Sequence, residues 1–346
     1  LNPARPLAAE DLPAKISDSE FWQLIEDLSE ANGQFQWENF VSNEFTLQSV
    51  IPQLLSNSQP ASAYLGVGPE QNFTYIAALH PKIAFIIDIR RQNLLEHMMY
   101  KSIFELSRDR ADFLSFLFSR KRPDGLAAGS TAQQLFKAFQ PIASDRSLFD
   151  RNAARIVEHL TADHKFDLSV EDRSNIRYVY NTFFQHGPDI DYTVGGFFGF
   201  DSPPTYADLM TADDGQGNMR SFLASEDSFR AVKQMEANNL IVPVVGDFGG
   251  PKAIREVGRY LAARKARVTV FYLSNVERYL FTTPEAWRRF YVNIAILPYD
   301  AQSTFIRSIF DASYGSVNKL STFQEIMTAF SESRIGAYAD VIALSH

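Results

Sequence analysis

Two short glycine turns and the acids near them are the residues best placed for chemistry in this chain. Gly66-Val67-Gly68 follows the apolar run Ala63-Tyr64-Leu65 and precedes a helical pattern from Gln71 to Leu79. A strand that ends in such a turn and opens a helix lets backbone amides approach a ligand, and the helix start favours anionic or polar groups. The next apolar run, Ile83–Ile87, ends at Asp88, where an acid about 20 residues beyond the glycines can hold a ribose. Asp88 reads equally well as a cap for a helix starting near Arg91. Gly246-Asp247-Phe248-Gly249-Gly250 forms a second turn after the run Leu240–Val245. Asp247 would act there as a general base or hold a substrate amine, with Asn275 orienting it. The alternative is a turn aspartate ahead of Pro251. Arg90 and Arg91 read either as anion ligands or as the solvated start of a helix, and Asn43-Glu44 would lie over the same pocket.

These residues need strands and helices to bring them together. Apolar runs that are hydrophobic on both faces are the pattern of buried parallel strands. Residues 61–88 and 240–273 each spell strand, glycine turn, helix and strand, a βαβ unit. Leu95, Met98, Met99, Ser102, Ile103 and Leu106 give the inner side of a helix after the first unit. Val268–Leu273 closes the second unit at Ser274-Asn275, and Val292–Leu297 and Val341–Leu344 read as further strands. Upstream, Ser17-Asp18-Ser19-Glu20 is a capping box, followed by Phe21, Leu24, Ile25 and Leu28 on one helical face. Phe45 to Leu55 reads as a short helix kinked at Pro52.

The predicted fold is α/β: a doubly wound, mostly parallel sheet with an N-terminal helical arm and a long, largely helical insertion. The arm covers residues 1–56, the α/β domain 57–106 and 238–346, and the insertion 107–237. Within the insertion, Ser169 to Asp172 is another capping box. The glycine- and aromatic-rich stretch Phe197–Tyr206 reads as a lid over the pocket or as a surface excursion.

Composition narrows the chemistry. The 346 residues carry 33 basic and 41 acidic side chains, a net charge of −8, with 45% apolar residues and no cysteine. Without cysteine there is no disulfide scaffold, thiolate zinc site, iron–sulfur cluster or cysteine nucleophile. The acidic balance argues against nucleic acid as a partner, since phosphate binding needs clustered Lys and Arg. Ser202-Pro203-Pro204-Thr205-Tyr206 is an interrupted version of the Pro-Pro-aromatic motif of nucleic-acid amino-methylating enzymes, a threonine separating the prolines from the tyrosine. No run approaches the ~20 apolar residues of a membrane span. The six histidines lack an H-x-x-x-H pair, and Asp189-Ile190-Asp191 and Asp213-Asp214 lack calcium-loop spacing, so no metal is expected. Neither a G-x-S-x-G elbow nor a G-K-[ST] loop occurs. A cytoplasmic setting is the expectation, with an exported form left open because the chain starts at Leu1.

The layout over residues 40–106 and 238–300 resembles a class I S-adenosylmethionine-dependent methyltransferase-like Rossmann fold. The strings Gly66-Val67-Gly68-Pro69-Glu70-Gln71-Asn72-Phe73 and Asp88-Ile89-Arg90-Arg91-Gln92-Asn93 also resemble an uncharacterised bacterial family named by sequence. The methyltransferase resemblance implies S-adenosylmethionine as cofactor and methyl transfer to a small-molecule or protein acceptor. It implies Gly66, Gly68, Glu70 and Asn72 around the methionine end, Asp88 on the ribose, and Asp247 and Asn275 facing the acceptor. Two departures stand out: Tyr64 occupies the usual acidic position, and Glu70 replaces the third glycine. A glutamate there would repel a pyrophosphate, which favours a sulfonium cofactor over NAD. A non-catalytic binding or scaffolding protein on a degenerate methyltransferase fold is the alternative, and an NAD-dependent oxidoreductase the third reading.

Overall fold

The computed structural model describes residues 11–56, 62–196, 202–310 and 315–346. Six strands form one sheet: β1 (Ala63–Gly66), β2 (Ile83–Asp88), β3 (Ile241–Val245), β4 (Val268–Ser274), β5 (Thr304–Ile309) and β6 (Val317–Thr322). Their order is β3-β2-β1-β4-β5-β6, with β1 to β5 parallel and β6 antiparallel to β5. The chain runs outward from β1 to β3, then returns to place β4 on the other side of β1. The two βαβ units therefore adjoin, and the direction of winding reverses between β1 and β4.

The helices are, in chain order, α1 (Asp18–Leu28), α2 (Ile51–Ser56), α3 (Gln71–Leu79), α4 (Arg91–Leu106), α5 (Arg110–Phe118), α6 (Ala132–Phe139), α7 (Arg146–Glu158) and α8 (Val170–His186). They continue with α9 (Tyr206–Thr211), α10 (Glu226–Ala237), α11 (Ala253–Ala263), α12 (Val276–Leu280), α13 (Ala286–Ile294), α14 (Phe323–Ser331) and α15 (Tyr338–Ala343). Both expected capping boxes are present, Ser17 with Glu20 and Ser169 with Asp172. The predicted helix from Phe45 is shorter than its pattern suggested. It starts at Ile51, and Pro52 sits in the first turn, where its missing N–H leaves no bond unmade.

The insertion packs onto α3 and α4 through α8 and α10. Arg91 clasps Asp172 of α8 through Nε at 2.6 Å and Nη2 at 2.8 Å. Phe73, Phe104, Phe113, Phe222 and Phe229 meet edge-on or tilted at the centre of this layer. The insertion and the sheet thus share one continuous apolar core.

Two strand expectations are corrected. Val292 lies inside α13 and Val341–Leu344 falls on α15 and its end, while the strands beside β4 are Thr304–Ile309 and Val317–Thr322. Short apolar runs do not separate strand from helix by periodicity, and the real strands are masked by buried polar residues. Arg307 in β5 is fully buried and pairs with Glu277 of α12, through Nε to Oε2 and through Nη2 to Oε1 at 3.2 Å. Tyr291 donates to the same carboxylate at 2.6 Å, and Arg307 also donates to Ser321 of β6. Glu277→Ala leaves a buried guanidinium without its counter-charge, and such losses run to about 3–5 kcal/mol. Urea denaturation is expected to show a loss of that size, with a smaller one for Glu277→Gln.

Candidate functional site

Parallel strands leave their carboxyl ends on one edge of the sheet, and a cleft forms where winding reverses. Here that cleft encloses about 400 Å³. Gly68, Asp88, Asp247 and Asn275 all line it, brought from the ends of β1, β2, β3 and β4. Asn43 and Glu44 line it as well, joined by Gln71 and Ser274, which the sequence analysis did not single out.

Gly66 and Asn72 build the first turn rather than the cleft wall. Asn72 is buried, and its Nδ2 lies 3.0, 3.0 and 2.8 Å from the carbonyl oxygens of Val67, Gly68 and Pro69. Tyr64, at the position where the resemblance would place an acid, donates its hydroxyl to Asn72 Oδ1 at 2.9 Å. A Cβ on residue 66 would stand 2.0 Å from that oxygen, so only glycine fits. Gly68 has φ +77°, a left-handed conformation natural to glycine. His97 on α4 approaches the Gly68 carbonyl at 2.9 Å through Nε2. Burial pushes its pKa down to about 4, so the ring is neutral and donates from Nε2.

Glu70 is fully buried beneath the turn and does not line the cleft. Its Oε1 accepts the Ser42 amide at 3.1 Å, while Oε2 has no partner. Desolvation raises its pKa to about 7. The repulsion of a pyrophosphate expected from Glu70 is therefore weaker than the sequence suggested. The group is part neutral near physiological pH and faces away from the ligand space.

Asp88 does not cap α4, because the first helical amide, that of Arg91, is taken by Asn32 Oδ1 at 2.7 Å. Instead Asp88 Oδ1 accepts from the Arg90 backbone at 2.9 Å and from its Nε at 3.2 Å. Arg90 also reaches the carbonyls of Trp37 and Glu38, which ties the segment after α1 to the end of β2. Among the described residues, Asp88 Oδ2 has a single contact, at 3.5 Å to Arg90.

Asp247 Oδ1 accepts the Gly249 amide at 2.9 Å, the geometry of a turn aspartate. Its other oxygen has no protein hydrogen bond among the described residues. Glu30 spans the start of α11, accepting the amides of Lys252 and Ala253 at 2.8 Å each and of Asp247 at 3.2 Å. A protein carboxylate thus already occupies the anion-binding position at that helix. The side chains of Gln34, Asn39, Asn43 and Asn275 line the cleft without a hydrogen bond among the described residues.

Glu44 forms the deepest acidic group of the cleft. Its carboxylate accepts from Tyr272 at 2.6 Å, from Ser274, and from Asn318 at 2.7 Å. Burial without a cationic partner raises its pKa. Gln71 donates to the Tyr272 hydroxyl at 3.1 Å, and its Oε1 is buried and unpartnered. A second space of about 370 Å³ over the end of β5 shares Asn43, Tyr192, Asn275 and Tyr279 with the cleft.

The stretch Phe197–Tyr206 lies partly outside the described residues. Of its described end, Tyr206 is fully buried against Phe118, Phe136 and Phe183, inside the insertion. Tyr192 supplies the insertion's contact with the cleft. Asp214, of the Asp213-Asp214 pair, is buried and pairs with Arg220 at 2.6 Å. No helix among the described residues is long and apolar enough to cross a membrane.

Together these features define an α/β protein with an amide-rich polar cleft at the switch point of its sheet. The chain belongs to the family described as a domain of unknown function, DUF7790, whose model matches residues 39–334. No curated protein matches the chain. The matched span contains both glycine turns and the residues from Asn39 to Arg289 that line the cleft, while Glu30 and Gln34 precede it.

Glu70 gives a pH prediction. Its folded pKa lies above the ordinary carboxyl value of 4.5, at about 7, so the folded chain holds a proton that the unfolded chain releases. Stability linked to this group is full below pH 4.5, falls as pH rises to about 7, and is flat above. Glu70→Gln keeps an acceptor for Ser42 and removes the titration. The variant is expected to be more stable than wild type at pH 8, by at most about 3 kcal/mol, and to match it near pH 4. Denaturant melts at the two pH values read this difference.

Proposed function

We propose that the cleft binds S-adenosylmethionine and that the protein transfers its methyl group to a small-molecule or protein acceptor. The observation that carries this reading is the meeting of the Gly66–Gly68 turn, Asp88 and Asn275 around one cleft of about 400 Å³. The strand order is that of doubly wound nucleotide-binding sheets, apart from the reversal of β6. Asp88 Oδ2 is the acceptor for a ribose hydroxyl. The unpaired cleft amides suit the polar edges of a nucleoside and of a zwitterionic amino acid. Glu44, Asp88 and Asp247 against Arg90 and Arg289 leave the lining one negative charge in excess when Glu44 is ionised, which favours a sulfonium cation.

Methyl transfer is an in-line displacement that needs alignment at about 3–3.5 Å more than acid–base help. Asn43 and Asn275, shared between the cleft and the space over β5, stand where sulfonium and acceptor would meet. Asp247, at the end of β3, lines the cleft but not the space over β5, so it serves as a base or as a ligand for an amine only for an acceptor that enters from the β3 side. Glu70 and Asn72 act on the cofactor through the turn they hold and not by contact.

One observation favours a second reading. Glu70 is withdrawn from the cleft, so a pyrophosphate is not repelled there, and NAD belongs in the same titration. Calorimetry with S-adenosylmethionine, S-adenosylhomocysteine and NAD is expected to show micromolar binding of the first two. Binding of NAD alone turns the reading to redox chemistry, and binding of none removes the cofactor assignment. Asp88→Ala should weaken S-adenosylmethionine by about 5- to 150-fold, the equivalent of 1–3 kcal/mol for a hydrogen bond to a charged group. If the variant only melts earlier and binds as wild type, Asp88 serves Arg90 alone.

A further inference from the structure

His159 and His164 stand five residues apart, a spacing that an α-helix would set about 140° apart around its axis. The chain instead forms a π-helical turn over His159–Asp163, closed by a hydrogen bond from the His164 amide to the His159 carbonyl at 3.0 Å. The wider turn brings both rings to one side, with centroids 4.7 Å apart. Single π turns are rare and are frequent at functional sites. Both rings point Nε2 at one oxygen of Glu105 on α4: His159 at 3.0 Å and His164 at 2.7 Å from Oε2.

The outer nitrogens are also faced by carboxylates. His159 Nδ1 lies 3.0 Å from Asp163 Oδ2, and His164 Nδ1 lies 3.0 Å from Asp18 Oδ1. A neutral ring with its proton on Nδ1, beside the outer carboxylate, turns an Nε2 lone pair toward Glu105 Oε2. Two lone pairs and a carboxylate oxygen then converge at 2.7 and 3.0 Å, and a cation at their centre takes the place of the ring protons. Carboxylates behind metal-bound imidazoles fix the ring and its tautomer in this same manner.

We propose that Glu105, His159 and His164 form a binding site for a divalent transition-metal ion of the zinc type. Metal–nitrogen and metal–oxygen bonds of about 2.0–2.2 Å in a tetrahedral arrangement put ligand atoms about 3.4 Å apart, so each ring nitrogen must move away from Glu105 Oε2 by less than about 1 Å. Lys101 Nζ sits 2.7 Å from Glu105 Oε1, so the carboxylate binds through Oε2 alone. Around the rings, Glu105, Asp18 and Asp163 carry three negative charges, faced by Lys101, by Arg155, which pairs with Asp163 at 2.8 Å, and by Lys233, which donates to the Glu105 carbonyl at 2.9 Å. These charges balance with neutral rings, so the three converging ligand atoms carry the affinity. The ion would fasten the π turn after α7 to α4 and, through Asp18, to the start of α1. It is a structural clamp between the insertion and the sheet layer, remote from the cleft and independent of its ligand.

The test uses the full chain stripped with chelator and then titrated with zinc chloride by calorimetry and with cobalt chloride by visible absorption. One zinc per chain, a higher melting temperature with zinc, and the d–d bands of a four-coordinate cobalt ion are expected. His159→Gln and His164→Gln should each weaken zinc by more than tenfold, and Asp163→Asn by about 10- to 100-fold. Binding that persists unchanged in His159→Gln and His164→Gln overturns the proposal. If those variants fail to fold, the wild-type cobalt spectrum decides: octahedral bands only, or no saturable binding, overturn it equally.

Discussion

One amide holds the first glycine turn together, and the cleft depends on it. Asn72 gathers three successive carbonyls, so Val67, Gly68 and Pro69 turn their acceptors inward and present none of them to the ligand space. The clamp works only because residue 66 has no side chain and Tyr64 holds the other end of the amide. His97 adds a donor to Gly68 from α4, so the turn is fixed both to α3 within the first βαβ unit and to the helix that follows it. The position of Gln71 at the start of α3, and through Tyr272 that of Glu44, follows from this arrangement.

A second part of the cleft wall comes from the segment between α1 and α2, threaded along the ends of the strands. Main-chain bonds tie Glu30 to Val245 and Gly33 to Ile89, and Arg90 reaches back to Trp37 and Glu38. The same segment supplies Asn32 to α4 and the Glu30 carboxylate to α11. Two helices that open toward the cleft thus receive their capping groups from outside their own βαβ units. The charge that a helix N-terminus would offer an anion at β3 is already spent on Glu30. This leaves the β1–α3 turn as the backbone element available to a ligand.

Sequence periodicity exposed the parts of the fold buried on both faces. The runs at β1, β2, β3 and β4 and the ends of α1 and α8 were legible because apolar continuity and capping chemistry are local signals. Asp88, Asp247 and Asn275 were legible for a related reason: carboxyl ends of parallel strands share one edge, so residues just past each run must gather there. What escaped was set by tertiary contact. β5 and β6 bury Arg307, Asn318 and Ser321, whose polarity hides the strand until Glu277 and Glu44 are seen to satisfy it. Glu30 and Asn32 cap helices far along the chain. The two histidines of the π turn were passed over because a search for helical pairs assumes the α spacing.

The contrast between two buried acids separates structural from functional polarity in this protein. Glu277 is matched by a guanidinium and a phenol, with every strong donor accounted for, as a core pair must be to avoid a large desolvation penalty. Glu44 has hydroxyl and amide donors but no cation among them, and it opens onto the cleft. Below it, Glu70 Oε2, Gln71 Oε1, Glu96 Oε1 and His97 Nδ1 all lack partners, and burial shifts Glu70 and Glu96 upward and His97 downward. A fold selected for stability alone would replace such groups by apolar ones, since an unsatisfied buried polar atom costs about 1–3 kcal/mol. Local rules are broken where a site has to be kept ready for a ligand. The strain gathers at the β1–α3 turn, on the side of the sheet where Asp88, Asp247 and Asn275 also meet.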